Sequence, residues 1–229
     1  MHPFFRIELR TTDVAAARAF YAAVLGDRSL GVVSIPEESR ARGARSLWLG
    51  HVGVDDLSRA VGAFTARGAV ALGPRWTTTD GLDVAMVRDP GGAVVALAES
   101  ASASVTACDA VWFQLHTTDA PRARANYQAL FGWAFEEPVG LGALGVFHPF
   151  RWEPEGPVVG VLSDVAQRPG VHPHWLFHLP VASFDRALEV IAAEGGVLAG
   201  TFALPSGERV AICDDPQGAA FAIREEAVR

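Results

Sequence analysis

A repeated sequence pattern constrains the fold of this chain more than any other feature. The segment Glu8–Asp13 (ELRTTD) returns as Gln114–Asp119 (QLHTTD), 106 residues later. The same spacing separates Tyr21 from Tyr127, in the stretch that follows each segment. A fixed spacing between several matched residues indicates that one unit of structure occurs twice.

Two further blocks repeat in the same order. Trp48–His51 (WLGH) matches Trp175–His178 (WLFH) at a spacing of 127 residues, and an Asp-Pro pair at Asp89 matches one at Asp215 at a spacing of 126. The increase over the first spacing places an insertion of about 21 residues in the second half, between Gly132 and Trp175. The chain is therefore predicted to be an internal duplication.

Each copy has the residue pattern of alternating strands and helices. We predict strands at about 4–10, 47–54, 83–88 and 93–98, and in the second half at about 174–181, 208–213 and 219–224. We predict helices from Asp13 to about Leu25, after Asp119, and at about 56–67 and 183–194. The predicted domains are 1–100 and 109–229, joined by a small polar linker at Ser100–Asp109. Between Gly26 and Leu47 there is too little chain for three strands, so the first strand–helix block is predicted to be trimmed.

Composition excludes several classes of function. The net charge is −7, and no lysine occurs among the 19 basic residues. A negative surface repels phosphate backbones, so we expect no nucleic-acid partner, and the lack of lysine excludes Schiff-base chemistry. No apolar run reaches the roughly 18 residues that cross a bilayer, and no secretory signal is visible, so we expect a cytoplasmic protein without a membrane partner. Cys108 and Cys213 are expected to be ordinary reduced thiols.

The repeated blocks resemble those of the vicinal oxygen chelate superfamily, which includes glyoxalase I, extradiol dioxygenases, and fosfomycin- and bleomycin-resistance proteins. The matching features are a strand that ends in Thr-Thr-Asp before a helix and an Asp-Pro-x-Gly turn before a last strand. The segments Trp112–Asp119 and Phe131–Trp133 look most like a bacterial branch of tandem glyoxalase-like proteins. The resemblance implies an α+β fold with tandem glyoxalase-like domains, each made of paired βαβββ modules that form a curved, cup-shaped sheet.

Metal-dependent members of this superfamily place their ligands at fixed points of these motifs. Carried over onto this chain, the six ligand positions are Arg6, Leu49, Ala96, Trp112, Leu176 and Ala222. None of these side chains binds a divalent cation in proteins, where the ligands are histidine, cysteine or carboxylate groups. We therefore expect no metal at the usual place and no cofactor, while a shifted metal site stays open as an alternative.

Polar residues one strand step from those positions form the predicted site. Because alternate residues of a strand share a face, we expect two opposed pairs, Glu8 with His51 and Gln114 with His178. Glu8 and His51 are the candidates for general acid–base catalysis. The candidate ligand-binding residues are Trp112, Gln114, His116, His174 and His178.

The same residues allow other interpretations. The other interpretation of each opposed pair is a hydrogen-bonded link between two central strands. His174 and His178 cannot share one ion, because four residues of a strand span about 13 Å. The aromatic residues of the second half are interpreted as core packing, with an aromatic-lined pocket as the alternative.

The sequence therefore favours a glyoxalase/bleomycin-resistance-like protein that binds a small, largely apolar metabolite in a cup. A metal-dependent lyase or dioxygenase with a shifted site is one alternative, and a non-catalytic partner subunit is another. The sequence leaves open whether the protein is a catalyst, for example a lyase or isomerase, and whether it forms a homodimer.

Overall fold

The computed structural model describes residues 2–26, 28, 30–99, 108–142, 145–204 and 207–225. Most of the predicted linker, residues 100–107, lies outside this set. Among the described residues, no helix has both the length and the apolar character needed to cross a membrane.

The first half of the chain contains seven strands and three helices within the described residues. In order, they are β1 (Phe4–Thr11), α1 (Val14–Leu25), β2 (Gly31–Ser34), α2 (Glu37–Ala41), β3 (Leu47–Val54), α3 (Leu57–Ala66), β4 (Val70–Ala71), β5 (Trp76–Thr77), β6 (Asp83–Arg88) and β7 (Val94–Glu99). The predicted strands and helices are confirmed to within a few residues. The short helix α2 lies between β2 and β3 and has no buried residue.

The second half follows the same order with more strands after its first helix. Its elements are β8 (Trp112–His116), α4 (Ala120–Phe131), β9 (Ala134–Phe135), β10 (Val139–Gly140), β11 (Val146–Arg151), β12 (Gly160–Ser163), β13 (His174–Val181), α5 (Phe184–Ala193), β14 (Val197–Ala203), β15 (Arg209–Asp214) and β16 (Ala220–Glu225). His174 is the first residue of β13, in agreement with the strand predicted at about 174–181.

Three of the five α-helices in the described ranges begin at the same kind of residue. The carboxylates of Asp13, Asp56 and Asp119 each accept a hydrogen bond from the backbone N–H three residues further on, at 2.8–3.0 Å. This contact satisfies one of the free N–H groups at a helix start. The repeated aspartate thus fixes where each helix begins after its strand.

Strands β1–β7 belong to one sheet and strands β8–β16 to a second, so each half of the sequence supplies one sheet. Both sheets are mixed. In the first, β7 runs parallel to β3 and antiparallel to β6. In the second, β12 is parallel to β8, and β16 is parallel to β13 and antiparallel to β15. The predicted α+β class with tandem repeats is confirmed.

The chain divides into two compact units, and each unit takes segments from both halves of the sequence. Unit 1 combines residues 1–6, 50–108 and 112–175, and unit 2 combines residues 7–49, 109–111 and 176–229. Helix α3 packs against α4 in unit 1, and α1 packs against α5 in unit 2. The contacts described below all lie within one unit.

A buried hydrogen-bonded chain of three side chains holds together the core of unit 1. The indole Nε1 of Trp175 donates to the hydroxyl of Tyr127 at 3.2 Å, and that hydroxyl donates to Asp89 Oδ2 at 3.1 Å. The other carboxylate oxygen of Asp89 accepts from the N–H of Ala93 at 2.9 Å. These hydrogen bonds connect helix α4, strand β13 and the turn between β6 and β7. We call the three bonded side chains the Trp–Tyr–Asp chain.

Unit 2 contains the same Trp–Tyr–Asp chain. Trp48 Nε1 donates to the hydroxyl of Tyr21 at 2.9 Å, and that hydroxyl donates to Asp215 Oδ2 at 3.2 Å. Burial raises the pKa of Asp215, as it raises the pKa of Asp89 in the other copy. Such buried carboxyl groups require hydrogen-bond donors, and the tyrosines provide them.

We expect Tyr127→Phe and Tyr21→Phe each to lower the free energy of unfolding by about 1–3 kcal/mol, measured by urea denaturation. Each change leaves a buried Trp N–H and a buried Asp oxygen without their partner. Ser58→Ala, which removes an exposed hydroxyl, is the control and should change stability by less than about 0.5 kcal/mol. If a tyrosine variant loses no more stability than this control, the Trp–Tyr–Asp chain of that unit does not have the proposed structural role.

Candidate functional site

The site begins with a polar contact on strand β8. Gln114 and His116 lie two residues apart and therefore point to the same face of the strand. The amide nitrogen Nε2 of Gln114 lies 2.8 Å from Nε2 of His116. With the amide N–H as donor, His116 Nε2 is the acceptor and the neutral ring carries its proton on Nδ1. The sequence paired Gln114 with His178, whereas the structure bonds it to the next histidine on its own strand.

His174 extends this contact into a cluster. Its ring lies edge-on to that of His116, with 4.7 Å between ring centroids, and it stacks on the ring of His172 at 4.6 Å. Its Nδ1 lies 2.8 Å from the backbone carbonyl oxygen of His172. Burial lowers the pKa of His174 to about 4, so the ring is neutral at neutral pH. We call Gln114, His116 and His174 the histidine cluster.

The neighbouring strands add a serine and an apolar surface to the histidine cluster. In the strand register, Ser163 lies opposite His116, and Val161 lies opposite Gln114. One strand further on, Phe147 and Pro149 occupy the same two rows. Ser163 is fully buried, whereas Val161, Phe147 and Pro149 are partly exposed. The face around the histidine cluster is thus a partly exposed apolar surface with a few polar groups.

The opposite face of these strands is closed by core packing. Phe113, Leu115, Leu162 and Phe150 alternate with the site residues, and all four are buried. The ring of Phe150 stacks on that of Trp133, with centroids 5.0 Å apart. A ligand can therefore approach this part of the sheet from the face that carries the histidine cluster.

Most aromatic residues of the second half belong to the core, in agreement with the core-packing interpretation of the sequence. Trp133 and Trp175 are almost completely buried, and Trp133 stacks on Tyr127 with centroids 4.9 Å apart. Trp112 is partly exposed and shares the face of Gln114 on β8. It is the tryptophan of this region that can contact a ligand beside the histidine cluster.

Glu8 and Arg10 form a partly buried ion pair in unit 2. Arg10 Nε donates to Glu8 Oε1 at 2.6 Å, and its terminal nitrogen lies at the same distance from that oxygen. Glu8 is 7% exposed, and the residue opposite it on strand β2 is Gly31. The carboxylate is therefore held by arginine, and a catalytic role for Glu8 stays a prediction.

His51 lies in unit 1 on strand β3 and is fully buried. Its ring is 6.3 Å from that of Phe5 and perpendicular to it, and in the register with β7 it lies opposite Ala96. The catalytic role of His51, like that of Glu8, therefore stays a prediction.

His178 lies in unit 2, in an apolar environment. It is opposite Ala222 in the register, and Ala222 packs with Leu176 and Val210 in a buried cluster. Neither ring nitrogen of His178 has a hydrogen-bond partner among the described residues. Burial, together with the charge of Arg224, lowers the pKa of His178 to about 3, so this histidine is also neutral.

The residues at the superfamily's ligand positions do not fit a divalent metal. Leu176 and Ala222 belong to the buried apolar cluster, and Leu49 and Ala96 are fully buried hydrocarbon. Arg6 is paired with Asp80 and holds the pKa of that carboxyl well below its usual range. Within the described ranges, no group of three or more histidine, cysteine or carboxylate side chains is arranged to hold a metal.

The comparison of sequences finds relatives along the whole chain. A protein of Mycobacterium bovis named "Putative glyoxylase CFP32" is 25% identical over 248 aligned positions, which cover 96% of this chain and 94% of the relative. A protein of the same name from Mycobacterium tuberculosis matches equally well. No family model matches the chain.

Solved structures show the same fold at low sequence identity. The 2,3-dioxygenase LapB from Pseudomonas sp. KL28 has a TM-score of 0.60 at 11% identity, over 97% of this chain and 91% of its own. The Mn(II)-bound glyoxalase from Novosphingobium aromaticivorans has a TM-score of 0.62 at 12% identity, over 99% and 83%. Homoprotocatechuate 2,3-dioxygenase from Arthrobacter globiformis has a TM-score of 0.61 at 16% identity, over 96% and 78%.

The two sheets and the repeated modules define a protein of the glyoxalase and dioxygenase fold. With the glyoxylase-named relatives, this fold confirms the resemblance to the vicinal oxygen chelate superfamily.

Sequence reasoning missed Ser163 and the role of His172 in the site. Ser163 ends the GVLS segment of β12, which matches the GVVS segment of β2, and each strand runs parallel to the first strand of its repeat. This match was available in the sequence, but the site prediction did not use it. His172 acts through its backbone carbonyl, which no residue-type pattern reveals. The contact between Gln114 and His116 could have been predicted from the sequence, because polar residues alternate along β8 and therefore share a face.

We expect the free energy of unfolding to fall as the pH is lowered from about 6.5. The unfolded histidines bind protons near pH 6.5, while His174 and His178 stay neutral in the fold down to about pH 4 and about pH 3. Protonation therefore favours the unfolded state, by at most about 1.4 kcal/mol per pH unit for each group. Urea denaturation between pH 8 and pH 5 measures this slope.

The variants H174Q and H178Q should each reduce that slope, because glutamine does not titrate. Stability at pH 8 is the internal reference, since both histidines are neutral there in the folded and unfolded states. An unchanged slope in both variants would show that these histidines titrate normally in the fold.

Proposed function

We propose that this glyoxalase-like protein binds a small, largely apolar molecule at the histidine cluster without the usual metal of the superfamily. The contacts to the ligand come from Trp112, Gln114, His116 and His174, whereas the ligand contact predicted from the sequence for His178, which lies in unit 2, stays a separate prediction. The cytoplasmic location predicted from the sequence forms part of the same proposal.

One observation carries this proposal. Two buried polar atoms on the histidine-cluster face, Ser163 Oγ and His174 Nε2, have no hydrogen-bond partner among the described residues. An unpaired buried polar group costs about 1–3 kcal/mol, so proteins keep such groups where a ligand or water completes them. Partly exposed Val161, Phe147 and Pro149 lie beside them. A few polar groups on an apolar wall are typical of small-molecule sites.

The relatives support a small-molecule ligand rather than a macromolecular one. The structural neighbours are named as dioxygenases and a glyoxalase, and the sequence relatives as glyoxylases. The net charge of −7 adds to this, because it opposes binding to nucleic acid.

For a catalytic function, we propose Glu8 and His51 as the acid–base residues of a lyase or isomerase. Both are buried polar side chains on strands β1 and β3, and carboxylate and imidazole groups are common general acids and bases in enzymes. Once a converted ligand is known, E8Q and H51Q should each lower kcat by about 10²–10⁴-fold, which is the usual contribution of general acid–base catalysis. Turnover that survives both changes would remove the two residues from the mechanism.

A thermal-shift screen of neutral alcohols, phenols, aldehydes and ketones tests the proposed binding. A ligand at about a hundred times its Kd stabilises the protein by about 2.7 kcal/mol. For a chain of this length, we expect Tm to rise by roughly 5–10 °C. The variants H116N and W112A should abolish the rise, because they remove a polar contact and an apolar contact.

The matched control is H148N. His148 is also a buried histidine of the same sheet, but it lies opposite Leu162 on the core-facing side. Its replacement should leave the ligand-induced rise in place. A hit that keeps its effect in H116N and W112A lies elsewhere and contradicts the site, and a screen without hits supports the partner-subunit alternative.

Metal analysis tests the metal-free part of the proposal. Protein purified without an affinity tag should contain far less than one equivalent of Zn, Fe, Mn or Ni by mass spectrometry, because the six ligand positions hold no suitable donor. A near-stoichiometric metal that H116N or H51Q removes would establish the shifted-site alternative.

A further inference from the structure

We infer that the histidine cluster binds a neutral molecule through a hydroxyl group that donates a hydrogen bond to His174 Nε2, and that it rejects a carboxylate of the same shape. This inference rests on the proposed function and adds the chemical class of the ligand.

The first argument is the tautomer of His174. Its Nδ1 is 2.8 Å from the carbonyl oxygen of His172, and a carbonyl only accepts hydrogen bonds. The proton of the neutral ring therefore lies on Nδ1, and Nε2 has a free lone pair. In a neutral imidazole, the hydrogen bond made by one nitrogen fixes the role of the other.

The second argument is the protonation state of His174. Burial lowers its pKa to about 4, although the hydrogen bond to the His172 carbonyl acts in the opposite direction. A protonated ring would offer an N–H at both nitrogens, but the neutral ring at pH 7 offers only an acceptor at Nε2. A ligand must supply the donor.

The third argument is that Nε2 of His174 has no donor within the part of the protein that the structure describes. It is buried and has no hydrogen-bond partner among the described residues. The ring cannot turn to find one without breaking the bond to His172 and the stacking of the two rings at 4.6 Å. The acceptor is therefore held in place before a ligand arrives.

Ser163 supplies the complementary group. Its hydroxyl is buried, has no partner among the described residues and lies on β12 opposite His116. A serine hydroxyl can donate and accept. Strand β8 lies between β12 and β13, so Ser163 offers a second hydrogen-bonding group on the same face to a ligand whose hydroxyl donates to His174.

The charge distribution of this face disfavours an anion. On β8, β11 and β12 its side chains are neutral around the histidine cluster, and the charged residue of the face is Arg151, at the end of β11. Arg151 is already paired with Glu136 and donates to the carbonyl of Gly156. A carboxylate beside His174 would lose its hydration and meet a lone pair, without a cation in exchange.

The experiment compares three probes that share a 4-methylphenyl ring and differ in one substituent: 4-methylphenol, 4-methylanisole and 4-methylbenzoate. Titrations at pH 7 are followed by NMR of protein with ¹⁵N-labelled histidine. We expect 4-methylphenol to bind about three- to tenfold more tightly than 4-methylanisole, which cannot donate, since one hydrogen bond contributes about 0.5–1.5 kcal/mol. 4-Methylbenzoate should bind most weakly. The Nε2 resonance of His174 should be that of an unprotonated nitrogen and should move with 4-methylphenol.

Two variants at the same position make the test specific. H174F keeps a flat ring but has no acceptor, so 4-methylphenol and 4-methylanisole should bind it equally. H174Q keeps an acceptor oxygen and should retain part of the preference. Rescue by glutamine separates loss of the acceptor from general damage to the site.

The outcomes distinguish the inference from the proposed function. A proton on Nε2 of His174 in the free protein, or equal or tighter binding of 4-methylbenzoate, overturns the inference. If the three probes bind equally and H116N abolishes binding, the inference fails while the proposed site stands. Binding of the probes that neither H116N nor W112A affects contradicts the proposed site itself.

Discussion

The architecture depends on a buried tyrosine hydroxyl that accepts one hydrogen bond and donates another. In each unit a tyrosine of the first helix of a repeat accepts from a strand tryptophan and donates to the aspartate of a turn. The aspartates are 2–4% exposed and their pKa values are raised by burial. Because a buried carboxyl without donors is costly, helix, strand and turn can pack only in the arrangement that joins all three. The sheet faces that carry the histidines are positioned by this packing.

Much of the fold could be predicted from the sequence, because the information is local. The aspartates that cap α1, α3 and α4 and the repeated WLGH and WLFH blocks indicate where strands and helices lie. The association of segments into units could not be predicted in this way. It depends on contacts such as Tyr21 with Asp215, 194 residues apart, and no periodicity reports such a pairing. The domain boundaries at 1–100 and 109–229 stay a prediction.

The candidate site was predictable in its residue types but not in its contacts. Alternation along β8 correctly placed Gln114 and His116 on one face, yet their mutual hydrogen bond competes with the cross-strand pairing expected from the repeat. The approach of His174 depends on the backbone path through His172, and the place of Ser163 depends on the register of β12 with β8. Register and backbone path are set by the whole sheet, so residue patterns do not contain them.

The exchange of partners between repeats has an evolutionary consequence. Tyr21 and Trp48 come from the first copy of the repeat and Asp215 from the second, while Asp89 belongs to the first copy and serves Tyr127 and Trp175 of the second. An ancestral chain with a single copy would have met its aspartate only in another molecule of the same kind. Two such chains would complete both sets reciprocally, as in a symmetric dimer. Gene fusion then turns an association that depends on protein concentration into one within a single polypeptide, which leaves the two copies free to diverge.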